Sequence, residues 1–268
     1  MKVLLGDYPG THALRTGAVK PSFPVEFADV KQAHHAFKRV VRDLEFDIAE
    51  LAIVTYLLAK AYGKPYRLLP AVVTARFQHP FLVCRSDRPF TPETLNRKRI
   101  GQRSYSVTTA TWLRGILADV HGVDLKSIKW VTFEEPHVAE FRDPPNVQRA
   151  PEGKDILSML LAGELDAAIM TDVPKDDPRI APVFPDVKAA AQTWKRSTGA
   201  TIQINHMVVA RDSVPREVSD EFYELLRKCN IEFPFGIDEN RRNLEAAIDT
   251  VYRQGMIPRR YNVEELFS

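Results

Sequence analysis

The sequence predicts an α/β protein of two doubly wound lobes joined by two crossings of the chain, with a ligand cleft between the lobes. Three observations carry this expectation. Short apolar runs that read as buried strands alternate with stretches of helical spacing along the whole chain. The composition turns polar after Arg85, which marks a boundary. A chain of 268 residues is also long for one core and comfortable for two. The first lobe is expected to combine residues 1–84 with 204–268, and the second to span 85–203.

Lys2 to Leu5 reads as a first buried strand, followed by a turn through Gly6, Asp7, Tyr8, Pro9 and Gly10. From Asp29, a candidate N-cap, Val30, Ala33, His34, Phe37, Val40 and Val41 recur at helical spacing. A strand through Asp47 to Leu51 then runs into a helix that stops at Gly63, and Arg67 to Val73 and Pro80 to Cys84 are two further strands. In TPETL, Thr91 is an N-cap with Pro92 at the first helical position. The second lobe takes strands from Arg99 to Gln102, Ile128 to Phe133 and Leu165 to Met170, with helices at Thr108 to Val120 and Lys154 to Ala162. Glu134 to Glu152 carries four prolines and no periodic pattern, so it reads as a long loop. A helix from Val187 to Arg196, a strand from Ile202 to Ala210 and two helices near Pro215 to Cys229 and Asp238 to Gln254 complete the chain.

Lysine and arginine total 37 against 35 acids, a net charge of +2 with no long run of one sign, which argues against nucleic-acid and membrane-surface partners. Cys84 and Cys229 have neither disulfide nor zinc spacing. Only Val3 to Leu5 are apolar between Lys2 and Asp7, so no export signal is expected and the cytoplasm is the expected location. No glycine-rich phosphate loop suggests a nucleotide, flavin or pyridoxal cofactor, and Asp47, Glu50 and His79 have no metal-ligand spacing signature.

The densest chemistry lies in IGQRSYSVTTATWLRGIL, Ile100 to Leu117. A strand ends near Gln102, and a helix starts at Thr108 with unpaired amides that favour a carboxylate or phosphate. Ser104, Tyr105, Ser106, Thr108 and Thr109 surround that point with hydroxyls, either as helix caps or as ligand donors. Asp47, Glu50 and Asp172 are read at the ends of strands, where open α/β sheets bind ligands, with helix capping as the alternative for the first two.

FDIAEL, FQH, YSVTTATWLRGIL, HGVD, IKWV and GELDAAI together resemble 4,5-dihydroxyphthalate decarboxylases, which share the type 2 periplasmic-binding-protein fold. His206 in INHMVV is a weaker further match. The resemblance runs from Lys2 to about Met170 and implies a small aromatic carboxylate as ligand. The chain departs from the family pattern at Ala52, where a serine follows FDxxEL, and at Gln78, where an arginine precedes the histidine; Arg76 stands one position from another family arginine. These departures point to a different acid.

The implied reaction needs a proton delivered to the ring carbon that bears the departing carboxylate. On this reading His79 is the acid and Glu50 orients it or accepts a phenolic proton. Arg76, Arg114 and the Thr108 helix start hold carboxylates, while Tyr105 and Trp112 stack on the ring. His79 as a structural histidine before Pro80 at a strand start, Arg114 as a surface ion pair, Trp112 as core and His206 as an interior hydrogen-bonded histidine are the structural alternatives. The competing functions are a solute receptor for a small organic anion and another enzyme of this fold, such as those of the futalosine route to menaquinone.

Overall fold

The computed structural model describes residues 1–174, 176–229 and 232–268. In chain order the strands are β1 (Lys2–Leu4), β2 (Glu26–Phe27), β3 (Ile48–Ala52), β4 (Tyr66–Ala75), β5 (Leu82–Arg85), β6 (Arg99–Gln102), β7 (Lys129–Thr132), β8 (Val147–Arg149), β9 (Ala167–Ile169), β10 (Ile180–Pro182) and β11 (Ile204–Arg211). The helices are α1 (His12–Arg15), α2 (Phe37–Val41), α3 (Ile53–Ala61), α4 (Thr108–Asp119), α5 (Ile156–Leu161), α6 (Val187–Thr198), α7 (Arg216–Cys229) and α8 (Ile237–Arg253). The chain divides into two units: Met1–Arg76, His137–Glu140 and Ile202–Ser268 form the first, Phe77–Pro136 and Phe141–Thr201 the second.

The first unit holds a sheet of order β2-β1-β3-β11-β4. β1 runs parallel to β2 and β3, while β11 is antiparallel to both its neighbours, β3 and β4. Side chains alternate across a strand, so Ile48 of β3 shares a face with Val208 and Ala210 of β11, and Phe222 and Leu226 of α7 and Leu14 of α1 pack there. α7 is helical for the same reason it is buried: Ser219, Phe222 and Leu226 recur on one stripe while the rest of the helix is polar. Burying a side chain such as Phe222 contributes roughly 1.5–3 kcal/mol.

The second unit holds a sheet of order β10-β5-β9-β6-β7-β8. β6, β7, β8 and β9 are parallel, and β5 is antiparallel to β9 and β10. Val83, Val131, Met159, Leu160, Leu165 and Ala168 form a core cluster on this sheet. α5 ends where Gly163 takes φ +73°, a conformation that other residues adopt only under strain.

Three expectations change. The strand Leu82–Arg85 belongs to the second sheet rather than the first lobe, because it pairs with Ala167–Ile169. The stretch from Glu134 to Glu152 contains β8, and its residues His137–Glu140 belong to the first unit. There Thr55 Oγ1 and His137 Nδ1 lie 2.8 Å apart, Arg42 donates to the His137 carbonyl at 2.8 Å, and Lys64 pairs with Glu140 at 2.6 Å. The chain therefore passes between the units at 76/77, 136/137, 140/141 and 201/202 rather than twice. The helix expected from Asp29 begins instead as a 3-10 turn, Ala33–Ala36, that leads into α2. No helix among the described residues is long and apolar enough to cross a membrane.

Candidate functional site

In the first unit, β3 carries Glu50 into the middle of the sheet with no exposed surface. In the antiparallel ladder Val208 stands opposite Glu50 and His206 opposite Ala52, so His206 is the diagonal neighbour of Glu50 on one face. The parallel pairing of β1 with β3, Leu4 opposite Ala49, brings the turn after β1 to the same carboxylate. Glu50 Oε2 accepts the Gly6 N–H at 2.7 Å; Oε1 accepts the Tyr8 hydroxyl at 2.8 Å and contacts His206 Nδ1 at 2.6 Å. A buried carboxylate requires such partners.

Burial alone pushes the Glu50 carboxyl up, yet His206, the Gly6 amide and the Tyr8 hydroxyl together hold it below the usual carboxylate range. Ionised Glu50 only accepts, so His206 Nδ1 is the donor and Nε2 is the nitrogen left for chemistry. The His206 side chain is 18% exposed, and Phe37 meets it edge-on at 5.1 Å. Phe37 in turn meets His137 edge-on at 5.7 Å. Burial and the negative charge of Glu50 push the Tyr8 phenol up, while the charges of Arg76 and Arg15 act against them. Tyr8 therefore stays a hydrogen-bond donor at neutral pH.

In the second unit, β6 ends at Gln102 and α4 starts at Thr108, with Val107, whose side chain makes no capping bond, as N-cap. Ser104, Thr108 and Thr109 are buried at this point. Ser104 Oγ and Gln102 Nε2 are buried without a hydrogen-bond partner. Together with the α4 amides they suit a small oxyanion. Arg114, expected to hold a ligand carboxylate, is fully buried. It donates to Gln102 Oε1 at 2.8 Å and Thr111 Oγ1 at 3.1 Å, and its guanidinium lies 3.7 Å from the centre of the Tyr105 ring. Burial pulls its pKa down against the charges of Tyr105 and Asp143. Arg114 therefore shapes the turn from beneath. Tyr105 is itself packed, with Arg114 on its ring and Phe141 stacked at 6.5 Å, and Trp112 is core, edge-on to Trp194 at 5.7 Å.

His79 does not have the surroundings of an acid. It is 1% exposed, its Nδ1 has no hydrogen-bond partner, and Phe184 and Phe77 lie 5.1 and 6.3 Å from its ring. Burial, with a further push from His121, lowers its pKa to about 4, so at neutral pH it lacks the proton an acid must give. Asp47 lies at the amino end of β3, not at the strand–helix junction, and its oxygens are taken by Arg211 and the Lys2 N–H. Arg76 is exposed just past the end of β4, where its charge reaches Tyr8. Asp172 is exposed in the bend after β9. No group of three metal-ligating side chains occurs among the described residues. Gly6, Tyr8 and His137 escaped the sequence reading as site residues; Gly6 and Tyr8 lay in a turn, and His137 in a long loop, already marked out by composition.

No family model matches the chain. Over 207 residues it is 30% identical to a 4,5-dihydroxyphthalate decarboxylase from Comamonas testosteroni, a match covering 72% of this chain and 63% of that protein. Over 210 residues it is 29% identical to one from Pseudomonas putida, covering 74% of this chain and 81% of that protein. The chain is similar to the 4,5-dihydroxyphthalate decarboxylases. It spans 63% of the length of the first of these relatives. In structure the chain is similar to the periplasmic aliphatic sulphonate binding protein SsuA from Escherichia coli, with a TM-score of 0.58 and 11% identity over 100% of this chain and 96% of that one. The periplasmic-binding-protein fold expected from the motifs is therefore the fold observed.

Proposed function

We propose that the protein is a decarboxylase of a hydroxylated aromatic dicarboxylate, 4,5-dihydroxyphthalate or a close analogue, with His206 as the proton donor. The observation that carries this reading is the His206–Glu50 contact of 2.6 Å on a carboxylate with no exposed surface, in a chain similar to named decarboxylases. Glu50 fixes the ring orientation of His206 through the contact at Nδ1. Arg76 supplies positive charge beside Tyr8 for a substrate carboxylate.

In the step itself, His206 Nε2–H protonates the ring carbon that bears the carboxylate while the para hydroxyl gives up its proton to water, leaving a dienone. The bond to the carboxylate carbon then breaks, carbon dioxide leaves, and the electron pair returns to the ring as a phenolate, which takes a proton from water. Net, one proton is consumed and no oxidant or reductant is needed. His79 has no part in this scheme.

The test is purified protein with 4,5-dihydroxyphthalate, following carbon dioxide release and 3,4-dihydroxybenzoate formation. Loss of a positioned acid lowers kcat by about 10²–10⁴-fold, and that is the effect expected of His206→Asn. Unchanged turnover in this variant removes His206 from the acid role. Binding of the compound by wild-type protein without carbon dioxide release supports the solute-receptor reading instead.

A further inference from the structure

Glu50 has two partners from one short turn, and the geometry of that turn is unusually tight. A Cβ built on Gly6 falls 2.5 Å from each of Tyr8 Cε2, Cζ and Oη, so the Tyr8 ring lies directly over Gly6. That approach lets the same turn give Glu50 the Gly6 amide on one oxygen and the Tyr8 hydroxyl on the other. Thr11, 2% exposed, locks it: its hydroxyl donates to the Gly6 carbonyl at 2.6 Å and accepts the Tyr8 N–H at 2.9 Å. Tyr8 and His206 share Glu50 Oε1.

We propose that Gly6, Tyr8 and Thr11 form a positioning device that orients the Glu50 carboxylate for His206. The proposal rests on the functional reading above. Gly6 is required for lack of a side chain rather than for backbone freedom, and Tyr8 acts through Glu50 without touching the substrate. The contact that Gly6→Ala would create is with the tip of a side chain, so the tyrosine swings aside and the fold survives.

The experiment compares Gly6→Ala, Tyr8→Phe, Tyr8→Ala and the double variant Gly6→Ala with Tyr8→Ala. Gly6→Ala and Tyr8→Phe are each expected to lower kcat about tenfold with KM nearly unchanged, the size of one hydrogen bond to a charged group. In the Tyr8→Ala background Gly6→Ala is expected to change kcat by less than about twofold, because the two substitutions remove one interaction. By proton NMR, the His206 Nδ1–H resonance is expected to move in Gly6→Ala and Tyr8→Phe in the same direction. An unmoved resonance, or an equal effect of Gly6→Ala with and without Tyr8, overturns the proposal. If the wild type turns over no 4,5-dihydroxyphthalate, the functional reading falls while the resonance still decides the positioning role.

Discussion

Replacing His79 by leucine tests whether the second unit keeps this histidine neutral. His79 is 1% exposed and its pKa is lowered from 6.5 to about 4. As pH falls below 6.5 the unfolded chain takes up a proton that the folded unit refuses until about pH 4. The wild type therefore keeps its full stability above pH 6.5 and loses part of it across that window. At roughly 1.4 kcal/mol per pH unit, the loss is about 3 kcal/mol. His79→Leu removes this loss. At pH 7 the variant is expected to be at least as stable as the wild type, because an unpaired buried polar atom costs roughly 1–3 kcal/mol. All three tryptophans, Trp112, Trp130 and Trp194, lie in the second unit, so urea unfolding followed by their fluorescence reports on it directly. Equal losses of stability between pH 6.5 and 4 in variant and wild type would refute the reasoning.

Glu50→Gln removes the charge from a buried carboxylate with three partners, and breaking such a pair costs roughly 3–5 kcal/mol at pH 7. Because the folded Glu50 carboxyl is held below its ordinary 4.5, its contribution is present above that pH and is lost as pH falls through the lower folded value. The gap between variant and wild type should therefore narrow below pH 4.5 in circular-dichroism unfolding curves; a gap that stays constant argues against an ionised Glu50. In the second unit, a Cβ on Gly101 falls 2.6 Å from Leu165 Cδ1. Gly101→Ala is expected to cost about 1–3 kcal/mol by overpacking, with part recovered on adding Leu165→Ala; additive losses in the double variant would show that the contact is not the cause.

Much of the fold was legible because its elements are long enough to show a period. Arg99–Gln102, the helix start at Thr108 and the helices α7 and α8 fall within a residue or so of the sequence reading. β2 and β10, of two and three residues, are too short for any period to register. The site was legible only in part. Glu50 stood out as a carboxylate read at a strand end, and His206 as a histidine inside an apolar strand. Tyr8 gave no signal, because a tyrosine in a Gly-Asp-Tyr-Pro-Gly turn reads as an exposed loop residue until β1 is paired with β3. His79 and Arg114 misled for the opposite reason. Their residue types announce proton transfer and anion binding, but one is enclosed by Phe77 and Phe184 and the other by Gln102, Thr111 and Tyr105.

The sequence by itself determined the α/β class, the places of the longer elements and the similarity to the decarboxylases, since periodicity and motif spacing are local properties of the chain. Only the tertiary structure decided which histidine meets the buried carboxylate of Glu50. Residues 6, 8, 50 and 206 come together through the parallel pairing of β1 with β3 and the antiparallel pairing of β11 with β3. The proton affinity of each group then depends on burial and neighbours, and no local pattern encodes those. That is why His206 lies against ionised Glu50 while His79 is closed in by aromatic rings and kept neutral, although the two share one side chain.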